Sequence, residues 1–217
     1  MSPGDAAQEA FAAFLLRLRS AGIASRELLA AFEATPRRDF VPADWRDAAW
    51  SSRMIPIECG EAIEGADLQA MVIDALGIEP GNRVLEIGTG SGYTAAVMAH
   101  LAGKVSTVER YRTLAEQARH RFEALAIANV SVRHADGSQG LPGEGPFERI
   151  VVWTAFETLP RSFADQLASG GTMIAAIGAP EERQILTRLT KVGSRFDRVD
   201  LGHVRLQPAI PGVAMKL

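Results

Sequence analysis

The chain has 217 residues, of which 47% are hydrophobic and 23% charged, with a formal net charge of -3 and an isoelectric point near 5.9. These values are typical of a globular protein in water and argue against broad nucleic-acid binding, which needs clustered Lys and Arg to neutralise phosphates. No apolar run approaches the ~18 residues needed to cross a bilayer, and acidic residues stand near the amino end, where a secretory signal is basic and then apolar. We therefore expect a cytoplasmic protein that binds neither membrane nor nucleic acid.

The amino-terminal third predicts helices and one long ordered loop. Apolar residues at helical spacing predict an amphipathic helix over residues 5–19, and Ser25 is placed to cap a second helix that ends by Thr35, before a proline. Residues 36–64 lose the helical period but keep prolines and aromatic side chains, which indicates an ordered loop. A third helix is expected over residues 67–76, with Asp67 as its cap.

The next stretch joins a strand to a glycine-rich turn and a helix. Val84 to Ile87 forms an apolar run around Glu86, as in a central parallel strand covered on both faces. Gly88, Gly90 and Gly92 follow in alternation, and a helix is expected from residues 91 to 100. Since ligands bind beyond the carboxyl ends of strands, where helix N–H groups are free, this turn is a candidate cofactor site.

The spacing around the turn decides between cofactor classes. A dinucleotide fingerprint needs a third glycine or alanine where this chain has Tyr93, so a nicotinamide cofactor is disfavoured. A second strand over residues 104–108 ends at Glu109, roughly 20 residues past the turn, where a carboxylate can accept hydrogen bonds from ribose hydroxyls. The alternative for the turn alone is a tight connection without a ligand.

The remaining pattern alternates helices and strands. It predicts a helix over residues 114–125, strands over residues 130–134, 147–153 and 172–177, a helix over residues 159–167, and edge strands over residues 184–192 and 203–207. The fold class is therefore α/β, with a doubly wound and mostly parallel sheet. The one cysteine, Cys59, excludes an internal disulfide, and the dispersed histidines show no metal-ligand spacing, so we expect no metal.

Glu86-x-Gly88-x-Gly90-x-Gly92 resembles the first motif of S-adenosylmethionine-dependent methyltransferases, and the longer chain is similar to the protein-L-isoaspartate O-methyltransferase family. The resemblance covers about residues 35–210. It includes the stretches Thr35-Pro36-Arg37, Phe40-Val41-Pro42, Pro56-Ile57, EIGTGSGY from Glu86 to Tyr93, Val108-Glu109-Arg110, Asp136-Gly137 and Val204-Arg205 with Pro208.

The resemblance implies a seven-stranded methyltransferase sheet, S-adenosyl-L-methionine as the cofactor, and a protein or peptide carboxylate as the acceptor. It places Gly88 and Gly90 at the methionyl part of the cofactor, Glu109 at the ribose and Asp136 near the adenine. Asp136 has a second interpretation as a turn or cap residue. The other residues predicted at the cofactor site are Glu86, Thr89, Ser91, Tyr93, Arg110 and Gly137.

The chain departs from this family at the acceptor side. The family's Thr-Ile-Ser motif corresponds here to Ala62-Ile63-Glu64, so Glu64 replaces the serine that lies near the acceptor carboxylate. A negative charge there would repel an isoaspartyl carboxylate. We predict one domain over residues 1–217, with helices and an acceptor-side loop over residues 1–64 and the cofactor-binding core over residues 65–217.

The acceptor side is predicted to include Ile63, Trp153, Thr154 and Phe156, although an aromatic residue at a strand end is as often part of the core. Three functions stay open. The first is transfer to a carboxylate, which needs no base. The second is transfer to a hydroxyl, phenol or amine, including that of a small molecule, with Glu64 as the catalytic base. The third is a non-catalytic protein that binds the cofactor. The sequence does not predict the oligomeric state.

Overall fold

The computed structural model describes residues 3–214. The α-helices in this part of the chain are α1 (Pro3–Ser20), α2 (Arg26–Ala34), α3 (Ala66–Leu76), α4 (Tyr93–Ala99), α5 (Arg112–Ala124) and α6 (Arg161–Gln166). The strands are β1 (Ile55–Pro56), β2 (Ala62–Ile63), β3 (Arg83–Ile87), β4 (Lys104–Glu109), β5 (Val130–His134), β6 (Phe147–Phe156), β7 (Leu167–Ile177), β8 (Gln184–Val192) and β9 (Arg195–Val204). No helix within residues 3–214 is long and apolar enough to span a membrane.

Seven strands of the described chain form one sheet in the order β5-β4-β3-β6-β7-β8-β9. The first five strands in this order, β5, β4, β3, β6 and β7, are parallel to one another. The strands β8 and β9 are antiparallel additions at one edge. The predicted fold class is confirmed. Because β3 is flanked by β4 and β6, the chain leaves β3 toward one edge and later returns to its other side. This reversal opens the crevice where open α/β sheets bind ligands.

The amino-terminal helices pack together on the sheet domain. Phe14 on α1 is fully buried, stacks on Trp50 at 4.9 Å and meets Phe32 of α2 edge to face at 5.3 Å. The hydroxyl of Ser25 accepts a hydrogen bond from the Leu28 N–H at 3.2 Å, so the predicted cap of α2 is confirmed. The contacts of Phe14 with Phe32 and with Trp50 join both helices to the loop that follows them.

The predicted long loop contains short regular elements. It has 3₁₀ turns over Arg37–Phe40, Ala43–Ala48 and Glu58–Gly60, and the strands β1 and β2 pair to form a small hairpin. Arg37 and Phe40 are fully buried. The segment is therefore packed into the domain, with its hairpin beside the carboxyl ends of the central strands.

Several predicted boundaries were wrong, among them those of the second edge strand and of the third helix. The second edge strand is Arg195–Val204 and not residues 203–207, because most of its side chains are exposed and give no alternating pattern. The helix α3 begins one residue before Asp67, with Gly65 as its N-cap residue. Asp67 forms an ion pair with Arg17 of α1 at 3.0 Å instead of capping the helix, so this residue joins two helices.

Candidate active site

A cavity of about 620 Å³ lies at the carboxyl ends of the central parallel strands. Its size is typical of a small-molecule site, and we call it the main cavity. The central sheet contributes Ile87, Gly88, Glu109, Asp136, Trp153 and Thr154 to its lining. A second cavity of about 40 Å³, the small cavity, lies behind it, and Glu64, Gly88, Gly90 and Trp153 line both.

The glycine-rich turn brings backbone to the cavity wall. Gly90 has a φ of 52°, and its N–H donates a hydrogen bond to the Glu109 carboxylate at 2.9 Å. Gly92, with a φ of 87°, is the N-cap residue of α4, and a Cβ there would lie 2.9 Å from the ring of Phe122 on α5. Glycine is therefore required both for the backbone conformation and for the packing of two helices below the turn.

Glu109 ends β4 with its carboxylate held in a fixed orientation. One oxygen accepts the Gly90 N–H and the other accepts the Tyr111 N–H, each at 2.9 Å. Burial raises the pKa of the Glu109 carboxyl, although these backbone donors oppose the shift. Each carboxylate oxygen can accept a further hydrogen bond, and the side chain lines the main cavity. The residue is thus oriented for the predicted role with ribose hydroxyls.

Glu86, predicted at the cofactor site, lies beneath the turn and reaches neither cavity. Its side chain is fully buried and accepts hydrogen bonds from the hydroxyls of Thr94 and Thr107 and from the Trp153 indole N–H at 3.0 Å. Burial raises the pKa of the Glu86 carboxyl to about 7, although these donors oppose the shift. Its place is structural, because it ties α4, β4 and β6 to β3 under the cavity floor.

Asp136 and Gly137 follow β5 at the far side of the main cavity. The Asp136 carboxylate accepts the Ser138 N–H at 2.8 Å and the Gly212 N–H at 2.7 Å. Burial alone would raise its pKa, but these two donors hold it below the ordinary value. A Cβ on Gly137 would lie 2.7 Å from a methyl of Ile87. Asp136 therefore acts as a turn residue that also anchors the carboxyl-terminal segment, while it lines the cavity.

Glu64 lies at the boundary between the two cavities. Its side chain is half-buried, and its backbone carbonyl accepts a hydrogen bond from the Arg37 guanidinium at 2.6 Å. Burial raises the pKa of the Glu64 carboxyl to about 7, although the positive charge of Arg37 opposes the shift. A carboxyl group that changes its charge near neutral pH therefore faces the space where the acceptor side was predicted.

The acceptor-side residues of β6 separate into two groups. Trp153 and Thr154 line the main cavity, and the Thr154 hydroxyl is buried without a hydrogen-bond partner in the described chain. The prediction that Phe156 lies on the acceptor side was wrong. Its side chain is 8% exposed, packs edge to face on Phe163 at 5.6 Å and lies in the core on the other face of the sheet. Phe156 lies three positions after Trp153 on the strand, an odd offset, so the two side chains point to opposite faces.

The other predicted residues divide between the two cavities. Arg110 lines the main cavity, with its guanidinium carbon 5.1 Å from the centre of the Tyr111 ring. Four line only the small cavity: Ile63, Thr89, Ser91 and Tyr93. The buried Tyr93 hydroxyl has no hydrogen-bond partner among the described residues, and Arg37 lies over its ring at 4.5 Å. These side chains support the turn and the Glu64 loop from behind.

Part of the cavity wall was not predicted. After β9 the chain crosses the ends of the central strands, where the Ala155 N–H donates to the Gln207 carbonyl and the Ala209 N–H donates to the Ala155 carbonyl, both at 2.8 Å. This roof segment, residues 205–210, lines the main cavity together with Met54 and Ile57 of the amino-terminal loop. The motif around Val204 and Pro208 is the sequence signal for this segment, but the local pattern predicts a strand over residues 203–207, whereas β9 ends at Val204.

Comparisons of the sequence with known proteins identify relatives that are methyltransferases. The sequence model of the protein-L-isoaspartate(D-aspartate) O-methyltransferase family matches residues 9–212. A protein-L-isoaspartate O-methyltransferase of Rhizobium meliloti is 48% identical over 199 residues, which are 92% of this chain and 98% of that protein. One of Azorhizobium caulinodans is 43% identical over 217 residues, with both chains fully covered.

Two solved structures share the fold. A protein-L-isoaspartate O-methyltransferase superposes with a TM-score of 0.82 at 27% identity, covering 95% of this chain and 67% of that one. A Plasmodium falciparum structure, described as a putative protein-L-isoaspartate O-methyltransferase in complex with S-adenosyl-L-homocysteine, superposes with a TM-score of 0.77 at 22% identity, covering 91% and 97%. The chain belongs to the protein-L-isoaspartate(D-aspartate) O-methyltransferase family.

Proposed function

We propose that the protein transfers the methyl group of S-adenosyl-L-methionine to the carboxylate of an isoaspartyl residue in a protein or peptide. The observation that carries this proposal is the Glu109 carboxylate, held by two backbone N–H groups in the main cavity of a chain that belongs to this methyltransferase family. The cofactor-side motif is intact, and it lies where the fold binds ligands.

The residues of the main cavity fit this cofactor. A volume of about 620 Å³ can enclose a nucleoside with an amino-acid tail, and the lining combines backbone with a few polar groups. Glu109 would accept hydrogen bonds from the ribose hydroxyls, Gly88 and Gly90 would allow the methionyl part to approach the backbone, and Asp136 would lie on the adenine side. The Thr154 hydroxyl, which has no hydrogen-bond partner within residues 3–214, offers one further hydrogen bond inside the cavity.

The protein contributes alignment and exclusion of water. When bound, the cofactor supplies an electrophilic methyl group on a positively charged sulfur. Trp153 and the roof segment, residues 205–210, enclose the space next to Gly88, so an acceptor carboxylate there would be held close and out of bulk water. A carboxylate is already ionised at neutral pH, so no side chain has to remove a proton from it.

Methyl transfer to a matched pair of peptides tests this proposal. One peptide carries isoaspartate and the other carries aspartate at the same position, and both are incubated with labelled S-adenosyl-L-methionine. We expect label in the isoaspartyl peptide alone, and much less label with Glu109→Ala at the same subsaturating cofactor concentration. Equal labelling of both peptides, or binding of S-adenosyl-L-homocysteine without any transfer, would contradict the proposed acceptor.

One observation favours a second candidate acceptor. The Glu64 carboxyl, with a pKa of about 7, lies in the main cavity and could serve as a general base for a hydroxyl, phenol or amine. In that case Glu64→Gln would remove methyl transfer to such an acceptor, and the wild-type rate would rise with pH through neutrality. A rate that falls with pH is the opposite result and would exclude the base role.

A further inference from the structure

The Glu64 carboxyl has an open hydrogen-bonding surface toward the main cavity. Within residues 3–214, no side chain or backbone group forms a hydrogen bond or an ion pair with it, although the Glu64 carbonyl is bonded to Arg37. It shares the cavity wall with Trp153 and Thr154 of β6. The carboxyl group is thus available to a molecule placed in the cavity beside the glycine-rich turn.

The charged and titratable groups around Glu64 do not neutralise it. Those that line the two cavities or lie directly behind them are Arg37, Glu61, Glu86, Tyr93, Glu109, Arg110, Tyr111, Asp136 and Arg205. The cation whose charge acts on the Glu64 carboxyl is Arg37, whose guanidinium bonds to Gln69 and to the Glu64 carbonyl and covers the Tyr93 ring. Arg37 therefore acts on the Glu64 carboxylate through space and forms no ion pair with it.

We propose that Glu64 makes methylation of an isoaspartyl carboxylate depend on its own protonation state. The neutral acid donates a hydrogen bond to the acceptor carboxylate, and the ionised form repels that carboxylate. This inference rests on the proposed function and adds a specificity-determining residue to it. The protonated Glu64 side chain would donate the same kind of hydrogen bond that a serine hydroxyl at this position could donate.

The sign of the pH dependence follows from two separate titrations. Burial raises the pKa of Glu64 to about 7, whereas a solvated acceptor carboxylate has a pKa of ~4 and stays ionised across the neutral range. Below neutrality Glu64 is therefore a donor facing an anion, which is a strong type of hydrogen bond. Above neutrality two like charges face each other in a partly enclosed space. Turnover should fall as pH rises.

The test is the pH profile of kcat/KM for an isoaspartyl peptide, compared between wild type and Glu64→Gln. For a single group with a pKa of about 7, the protonated fraction falls roughly 10-fold between about pH 6 and about pH 8, and wild-type kcat/KM should fall with it. Glu64→Gln keeps an N–H donor and has no charge, so its profile should be flat. Glu58→Gln, in the same segment but exposed and outside both cavities, is the matched control and should keep the wild-type profile.

Two further measurements separate Glu64 from other groups. Calorimetry of S-adenosyl-L-homocysteine binding across the same pH range reports any pH dependence that arises at the cofactor side, where burial raises the pKa of Glu109, and such a dependence would persist in Glu64→Gln. Affinity for the isoaspartyl peptide in the presence of S-adenosyl-L-homocysteine should weaken with pH in wild type alone. If Glu64→Gln fails to fold, Glu64→Ser provides the same comparison with a neutral hydroxyl.

The possible failures are distinguishable. A flat wild-type profile, or a falling profile that Glu64→Gln retains, would overturn this inference and leave the proposed function intact. Absence of isoaspartyl methylation in wild type and in both Glu64 variants, at every pH and with normal binding of S-adenosyl-L-homocysteine, would overturn the inference together with the proposed function.

Discussion

The buried carboxyl of Glu86 predicts how the stability of the protein depends on pH. Burial raises its pKa from 4.5 to about 7, so between these values the folded protein binds a proton that the unfolded chain does not bind. The free energy of unfolding should therefore fall as pH rises through this window. Above about pH 7 the carboxyl is ionised in both states, and the loss is complete.

The magnitude follows from the size of the pKa change. At about 1.4 kcal/mol per pKa unit, the change from 4.5 to about 7 corresponds to ~3 kcal/mol for Glu86 alone. For a domain of this length, 1 kcal/mol moves the melting temperature by roughly 2–4 °C, so the contribution of Glu86 is about 6–12 °C. Burial also raises the pKa values of Glu64 and Glu109, so the pH dependence of the free energy of unfolding in the wild-type protein includes contributions from several groups.

Glu86→Gln isolates the contribution of this residue. The amide has almost the same shape: its oxygen, in the place of Oε1, can accept the Trp153 N–H and the Thr94 hydroxyl, and the Thr107 hydroxyl can rotate to accept one of its N–H groups. Melting temperatures of wild type and variant, measured by circular dichroism from about pH 5 to about pH 8, should be most similar at the acidic end, and the wild type should fall progressively below the variant toward the alkaline end. Glu123→Gln, an exposed change on α5, is the control. Parallel pH curves for wild type and Glu86→Gln would refute the reasoning.

Three further substitutions test the assignment of other residues. Glu109→Ala should weaken binding of S-adenosyl-L-homocysteine by ~1–3 kcal/mol in calorimetry, because polar groups of the ligand lose their partner, and unchanged affinity would place the ribose elsewhere. Phe156→Ala should lower the free energy of unfolding by ~3–5 kcal/mol in denaturant titration while each folded molecule keeps its cofactor affinity, and the reverse pattern would return Phe156 to the site. Gly65→Ala would place a Cβ 2.2 Å from the Ser52 carbonyl oxygen, so we expect displacement of the Glu64 loop and a reduced rate of methyl transfer with normal cofactor affinity, and an unchanged rate would show that the loop tolerates this displacement.

The cofactor side could be predicted from sequence because its signals are local. The strand, the glycine-rich turn and the helix follow one another between Arg83 and Ala99, and Glu109 ends the next strand along the chain. Each element therefore leaves its own periodic or compositional pattern. The depth of Glu86 was not predictable in this way, because its three hydrogen-bond partners come from α4, β4 and β6.

The acceptor side depends on contacts between distant parts of the chain. The roof segment, residues 205–210, is placed by backbone pairing with Ala155, about 50 residues earlier, and no local pattern reports such a contact. Phe156 was misplaced because the predicted strand stopped at residue 153. With the strand extended to Phe156, the alternation of its side chains puts Phe156 on the face opposite Trp153.

The structure also changes what the Glu64 substitution implies. From sequence alone, Glu64 and an acceptor carboxylate titrate in the same range, so a pH trend could not distinguish them. Burial separates the two titrations by raising the pKa of Glu64 to about 7. Arg37 does not cancel this effect, because its guanidinium is directed to Gln69, the Glu64 carbonyl and the Tyr93 ring. Arg37 thus fixes the backbone of residue 64 through contacts that do not involve its side chain. A serine and a glutamate at this position would therefore differ in the charge that lines the main cavity, and neither would require a change in the support around it.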